Sequence, residues 1–153
     1  MGILGKMKDA VTGGAAKVSI EYPSEPLNPG DSLHVKVTVM SSGGEFKSKG
    51  IYVDLVGQEK GSVVGGSKCD KCGQYDSTTR VNVNKKTFNQ SYPLGGAMTL
   101  QKGETKVFEG DIQIPPNAQP SYQGSISHKW SIRGRIEAFG NDPDSGFQTI
   151  VVK

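Results

Sequence analysis

The segment that most constrains the fold of this chain is a proline-rich connection between two alternating strands. The first strand alternates from Phe108 to Ile114 and stops at Pro115 and Pro116, and a longer strand begins near His128. Proline fixes φ and cannot donate to a sheet ladder, so the first strand must end at the proline pair. The pattern predicts a chain that passes from one sheet to the other in a β-sandwich.

Length and composition agree with an all-β domain. A chain of 153 residues suits a single domain, which at this size buries about two-thirds of its unfolded surface. The sequence has 21 glycines and 8 prolines, with 22% charged residues, which is typical of a turn-rich globular protein. The predicted fold is therefore an immunoglobulin-like sandwich of two antiparallel sheets.

Alternating apolar residues predict the strands of the first half. Strands are expected at residues 17–22 and 33–39, and a hairpin at residues 41–45 is expected to pair the second of these with residues 51–55. Residues 57–77 are expected to form a long irregular loop.

In the second half, strands are expected at residues 79–88 and 147–153, on either side of the proline connection. In the strand that follows the connection, Trp130 is expected in the core, while Lys129, Arg133 and Arg135 form an outward charged row.

The N-terminal residues 1–16 are expected to be a short flexible or amphipathic segment before a single domain at 17–153. Ile3, Leu4, Met7 and Val11 lie near helical spacing, which predicts one or two helical turns. The segment lacks the apolar stretch and cleavage site of a secretory signal. A cytoplasmic protein is therefore expected, and residues 1–11 are the only segment considered for membrane contact, with docking on the domain as the alternative.

Cys69 and Cys72 form the one motif that suggests metal chemistry. Two thiolates at this spacing can chelate zinc, but a tetrahedral site needs four ligands. Asp70, Asp76 or His34 could complete it, or the same loop of a second subunit. A redox pair and plain reduced thiols are the other interpretations. No other cofactor is expected.

The remaining polar residues suggest no enzyme. His34 and His128 lack a Ser or Cys with an acidic partner in a triad pattern, so both are expected at the surface or at strand ends. A net charge of +3 is too small to indicate nucleic acid binding. A carbohydrate or small-ligand site would need exposed aromatic residues. The candidates are scattered: Tyr75, Tyr92, Tyr122 and Phe139.

Several segments together resemble an arrestin-type domain. The first half of the resemblance lies in residues 17–22, 27–31, 35–39 and 49–57, and the later half in residues 112–122 and 130–136. The most similar pattern is that of the bacterial sporulation-control (stage-zero, M-type) branch, over residues 17–153. Arrestin-type proteins generally join two sandwiches, and this chain has room for one.

The resemblance implies a protein-contact domain without an active site. We therefore expect a non-enzymatic interaction or regulatory module, a scaffold or adaptor, which binds a partner protein through sheet edges or loops. A homodimer through edge strands, or through the Cys69 and Cys72 loop, is compatible with this. The alternatives are a small-ligand or carbohydrate-binding sandwich and a metal-bridged assembly through the two cysteines.

Overall fold

The computed structural model describes residues 6–12, 16–65, 79–138 and 142–153. The described residues contain nine strands. They are β1 (Lys6–Thr12), β2 (Ala16–Tyr22), β3 (Ser32–Ser41), β4 (Phe46–Gly65), β5 (Thr79–Gly95), β6 (Met98–Leu100), β7 (Thr105–Gln113), β8 (Ile126–Ala138) and β9 (Gln148–Ile150). No helix that could span a membrane occurs in these ranges.

The strands form two antiparallel sheets, which confirms the predicted fold class. The first sheet has the order β1-β2-β3-β7, and the second has the order β5-β4-β8-β9, with β6 paired to the start of β4. The chain leaves the first sheet at the end of β7 and enters the second at β8. The proline connection therefore crosses between the sheets, as predicted.

The core lies between the sheets and follows the predicted alternation. Its largest fully buried apolar side chains come from both sheets and from the start of the connection: Ile20, Leu33, Ile51, Leu55, Leu100, Ile112, Ile114, Trp130, Ile132 and Ile136. Burying a large apolar side chain contributes about 1.5–3 kcal/mol relative to leaving it exposed. The position of Trp130 in the core is confirmed.

The predicted hairpin between β3 and β4 is wrong. β3 pairs with β2 and β7, whereas β4 pairs with β5, β6 and β8. The glycine-rich turn therefore carries the chain from one sheet to the other, and Gly44 adopts a φ of 119° there, which favours glycine. Both strands bury apolar residues on one face, so they face each other across the core.

The predicted irregular loop at residues 57–77 is also wrong over residues 57–65. β4 continues to Gly65, and β5 begins at Thr79 and pairs with it in register. The residues in this part of β4 are mostly polar or small, so they lack the apolar alternation that indicates a strand in a sequence. Residues 66–77 of the predicted loop lie outside the described residues.

The helical prediction for the N-terminal segment does not hold for residues 6–12. They form β1, an extended strand paired with β2 from the Lys6 and Tyr22 pair to the Thr12 and Ala16 pair. A short segment with marginal helix stability takes the conformation that tertiary pairing offers. Here the edge of β2 supplies that pairing.

Candidate functional site

The predicted metal pair, Cys69 and Cys72, lies outside the described residues. β4 and β5, which flank that segment in sequence, pair as far as Gly65 and Thr79. Within the four described ranges, no group of three or more His, Cys, Asp or Glu side chains is arranged to hold a metal ion. The hypothesis of a shared zinc site therefore stays a prediction.

His34 lies on the outer face of the first sheet and pairs with carboxylates. Its Nδ1 is 2.9 Å from Asp111 Oδ1 and its Nε2 is 3.3 Å from Glu109 Oε1. These hydrogen bonds, first to Asp111 and then to Glu109, raise the pKa of His34. More than half of its side-chain surface is exposed. The pairing therefore lies on the solvent-exposed face of β3, as the sequence predicted.

Asp54 on β4 is the centre of a buried charge cluster on the outer face of the second sheet. Its side chain is only 6% exposed. Arg133 donates from Nε and Nη2 to Asp54 Oδ2 at 2.9 and 2.7 Å, and Arg135 Nε donates to the same oxygen at 2.9 Å. Ser91 donates to Oδ1 at 2.6 Å. One carboxylate therefore holds two guanidinium groups and joins β4, β5 and β8.

Further contacts occupy the two guanidinium groups. Each has a second carboxylate and a ring beside it: Asp144 at 3.7 Å and Phe147 at 4.4 Å for Arg133, and Asp142 at 3.6 Å and Tyr52 at 5.0 Å for Arg135. Such contacts combine charge pairing with stacking on an aromatic face. Arg133 and Arg135 lie on the outward face as predicted, but their charges are paired within the cluster.

The pKa of Asp54 reflects this environment. Burial alone would raise the pKa, but hydrogen bonds from Arg135, Ser91 and Arg133 outweigh it, and the pKa is lowered. The same pairing raises the pKa of Arg135. The cluster therefore remains ionised near neutral pH, and its donors and acceptors satisfy one another.

His128 lies near the start of β8, as predicted, but it is fully buried and not at the surface. Its Nδ1 is 3.1 Å from the Pro120 carbonyl oxygen, and its Nε2 is 2.6 Å from Thr87 Oγ1. A carbonyl can only accept, so Nδ1 donates to Pro120, while the Thr87 hydroxyl can act as the partner of Nε2 in either direction. Trp130 meets the imidazole edge to face at 5.6 Å. The imidazole therefore links the proline connection to β5 through these two hydrogen bonds.

The aromatic residues considered for a small-ligand site do not converge. Tyr92 on β5 donates to the Gln113 carbonyl at 3.3 Å, whereas Tyr122 on the connection donates to Glu59 at 2.8 Å. Tyr75 and Phe139 lie outside the described residues. The structure therefore gives the carbohydrate or small-ligand alternative no assembled aromatic surface among the described residues.

The outer edge of β5 carries no paired strand within the described part of the chain. β5 is the terminal strand of the second sheet and pairs with β4 alone. Its register from Thr79 to Lys86 is regular, and register shifts at Thr87 and Leu94 interrupt the rest. An unpaired edge presents a row of N–H and C=O groups that can bind another strand.

The end of the β4 and β5 hairpin extends beyond the sandwich as a two-stranded ribbon. Pairing of β4 with β8 stops at Gly61, and β5, through residues 79–82, is the one strand that pairs with residues 62–65 among the described residues. Val63 and Val81 are cross-strand partners, and they are 39% and 52% exposed. Val64, with its side chain on the opposite face, is 56% exposed. The ribbon therefore exposes apolar residues on both faces.

The base of the ribbon is fixed by a close backbone approach. A Cβ at Gly61 would lie 2.2 Å from the carbonyl oxygen of Ser125, so a side chain there would separate β4 from the connection. Ser62 donates its backbone N–H to the same oxygen at 3.1 Å. The base of the ribbon is therefore joined to the connection at Ser125.

These sheets and their crossover define an antiparallel two-sheet β-sandwich domain. The fold matches the crystal structure of Spo0M, the sporulation control protein from Bacillus subtilis, with a TM-score of 0.60. The match covers 91% of this chain at 21% identity, and the chain spans about half (49%) of that protein's length. The expected similarity to the sporulation-control branch is thus confirmed at the level of fold.

Comparisons of sequence alone give no match. No protein-family model matches the chain, and no curated protein matches it at a significant level.

Proposed function

We propose that this domain is a non-enzymatic protein-interaction module that binds an extended segment of a partner protein along the outer edge of β5. The regular stretch from Thr79 to Lys86, whose outer edge has no strand partner among the described residues, is the observation that carries the proposal. Strand addition gives affinity through main-chain hydrogen bonds, and the side chains beside them give specificity. No catalytic group is needed for this function.

The side chains along this stretch favour a defined partner segment. Val81 and Val83 lie on one face of the strand, and Asn82 and Asn84 lie on the other. An added strand would therefore meet an apolar face and a polar face at alternate positions. The eight residues span about 26 Å at about 3.3 Å per residue, and the register shift at Thr87 limits the pairing beyond them.

Charge on the edge limits pairing to partners of suitable sequence. Arg80, Lys85 and Lys86 are exposed on this strand, and lysines on an edge oppose indiscriminate pairing between sheets. A segment with acidic residues would meet these cations favourably, whereas a second copy of the same edge would bring like charges together. We therefore propose an acidic, extended segment of another protein as the preferred partner.

Proline substitutions at Asn82 and Val83 test the edge. Adjacent residues of an antiparallel strand direct their N–H groups to opposite sides, so one proline removes a bond to β4 and the other removes an outward donor. We expect the variant that loses the bond to β4 to have a lower thermal midpoint. We expect the variant that loses the outward donor to keep its thermal midpoint but to lose the partner. Thermal unfolding and photo-crosslinking from position 81 in extracts of the source cells measure both effects.

A crosslinking probe at Val107 is the matched control, because Val107 on β7 is 52% exposed, as Val81 is. The proposal requires a protein captured at position 81 and absent at position 107. Equal capture at both positions would contradict the proposal. The proposal would also be contradicted if both proline variants were stable and both retained the captured protein.

A further inference from the structure

The outward face at the base of the ribbon is basic and contains no carboxylate among its described residues. Strand alternation places polar and basic side chains on this face of β4, β5 and β8: Gln58, Lys60, Arg80, Asn82, Asn84, Lys86, Ser127 and Lys129. The hydrogen bond from the Gln58 amide to Asn84 Oδ1, at 2.6 Å, agrees with this placement. Glu59, the nearest acidic residue on β4, points to the other face and binds Tyr122.

The cations of this face are not neutralised within the described structure. Lys60, Arg80, Lys86 and Lys129 make no ion pair within 4.0 Å of a described carboxylate. Their situation differs from that of Arg133 and Arg135, whose charges are satisfied within the same sheet. A set of unneutralised cations on one face attracts an anionic surface.

A cleft on this face has donors suited to a phosphate group. It has a volume of about 240 Å³ and is lined by Gln58, Lys60, Ser127 and Lys129. Two ammonium groups, one amide and one hydroxyl can donate hydrogen bonds to an oxyanion.

Apolar exposure at the far end of the ribbon indicates a lipid surface as the source of the anion. Val64 is exposed on the basic face, and Val63 and Val81 are exposed on the opposite face. A protein docked on the basic face would leave Val63 and Val81 in water. A membrane interface can surround both faces of the ribbon, with apolar residues in the boundary layer and basic residues at the headgroups.

We propose that the ribbon docks on an anionic lipid surface, with a headgroup phosphate in the cleft beside Lys60 and Lys129 and with the exposed valines in the interface. This site differs from residues 1–11, the one segment for which the sequence analysis considered membrane contact. It also goes beyond the proposed partner site, because it uses the outward face and the end of the ribbon instead of the main-chain edge of β5.

Vesicle binding by a double variant, Lys60→Gln with Lys129→Gln, tests the proposal. Each basic residue near an anionic surface is worth about 1 kcal/mol, or about fivefold, so the double variant is expected to bind about 25-fold more weakly. The probe is a vesicle of phosphatidylcholine with about 30% phosphatidylserine, compared with pure phosphatidylcholine. Binding is measured by co-sedimentation at about 0.05 M and about 0.5 M salt.

The matched control is Lys17→Gln with Lys102→Gln, which removes the same charge from exposed positions elsewhere. This control should bind as the parent protein does. A second comparison, Val64→Ser against Val107→Ser, should weaken vesicle binding several-fold for Val64 alone, since only that valine lies on the ribbon.

Three outcomes would overturn the proposal. The first is that the protein does not bind the anionic vesicles at low salt. The second is that both double lysine variants weaken vesicle binding equally. The third is equally strong binding to soluble polyglutamate with the same dependence on Lys60 and Lys129. The last outcome would assign the face to an acidic protein. The proline variants leave these lysines intact, so failure of the partner site and failure of the lipid site are distinguishable.

Discussion

Replacing Asp54 with asparagine is expected to lower the free energy of unfolding by about 3 kcal/mol. The substitution removes the charge that Arg133 and Arg135 share, and breaking a buried ion pair by removing one partner typically costs about 3–5 kcal/mol. The lower end of that range applies here because each guanidinium keeps a second carboxylate, Asp142 or Asp144. Urea unfolding followed by circular dichroism measures the loss.

The same substitution should change the acid limb of the stability curve. The pKa of Asp54 is lowered in the folded state, so its contribution is present above the unfolded value of about 3.9 and is lost as pH falls through the folded pKa. The difference in the free energy of unfolding between the parent protein and Asp54→Asn should therefore shrink below about pH 4. A difference that grows as the pH falls would contradict the ion-pair account.

Asp142→Asn is the matched control for this experiment. Its side chain is 41% exposed, and an exposed pair contributes about 0–1 kcal/mol. The asparagine oxygen can still accept the backbone N–H of Ala138, which Asp142 Oδ1 accepts at 3.1 Å. If Asp142→Asn destabilised the domain as much as Asp54→Asn, the central role of Asp54 would be wrong.

Replacing Trp130 with alanine is expected to cost about 4 kcal/mol. Removal of a buried aromatic side chain usually costs about 3–5 kcal/mol, and Trp130 is 1% exposed. The variant also leaves the Gln119 carbonyl without the indole N–H that donates to it at 2.7 Å. Circular dichroism is the suitable probe, because the chain has one tryptophan and its fluorescence disappears with the side chain.

Trp130→Phe separates packing from hydrogen bonding. Phenylalanine keeps most of the ring contacts with Phe88, whose centroid is 5.6 Å away, but cannot donate to Gln119. We expect it to cost about 1–3 kcal/mol, the range for leaving a buried polar group without a partner. A loss equal to that of Trp130→Ala would show that the indole hydrogen bond, and not packing, dominates.

Features that depend on local pattern were predictable from the sequence. Pro115 and Pro116 end a strand by their covalent geometry, and the alternation around Trp130 indicates which face is buried. Both features are local, and together they predict the sandwich and its crossover. The predicted hairpin at residues 41–45 failed because a glycine-rich turn allows both a hairpin and a passage between sheets.

Features that depend on contacts distant in sequence were not predictable. Asp54, Arg133 and Arg135 each occupy outward positions in their own strands, and only the pairing of β4 with β8 brings them together. The sequence places His128 near a strand end, but it does not show that the proline connection covers this residue through Pro120. The ribbon was missed because Gly57, Gly61 and Gly65 interrupt the pattern of β4.

Residue-resolved hydrogen exchange of Thr79–Lys86 in the isolated domain tests the free edge of β5 most directly. The account predicts an alternating pattern, in which amides bonded to β4 are protected and the amides between them exchange at nearly the rate of an open chain. The pattern should not depend on protein concentration. Uniform protection of Thr79–Lys86 would show that the edge is already paired, and it would contradict the proposed binding site.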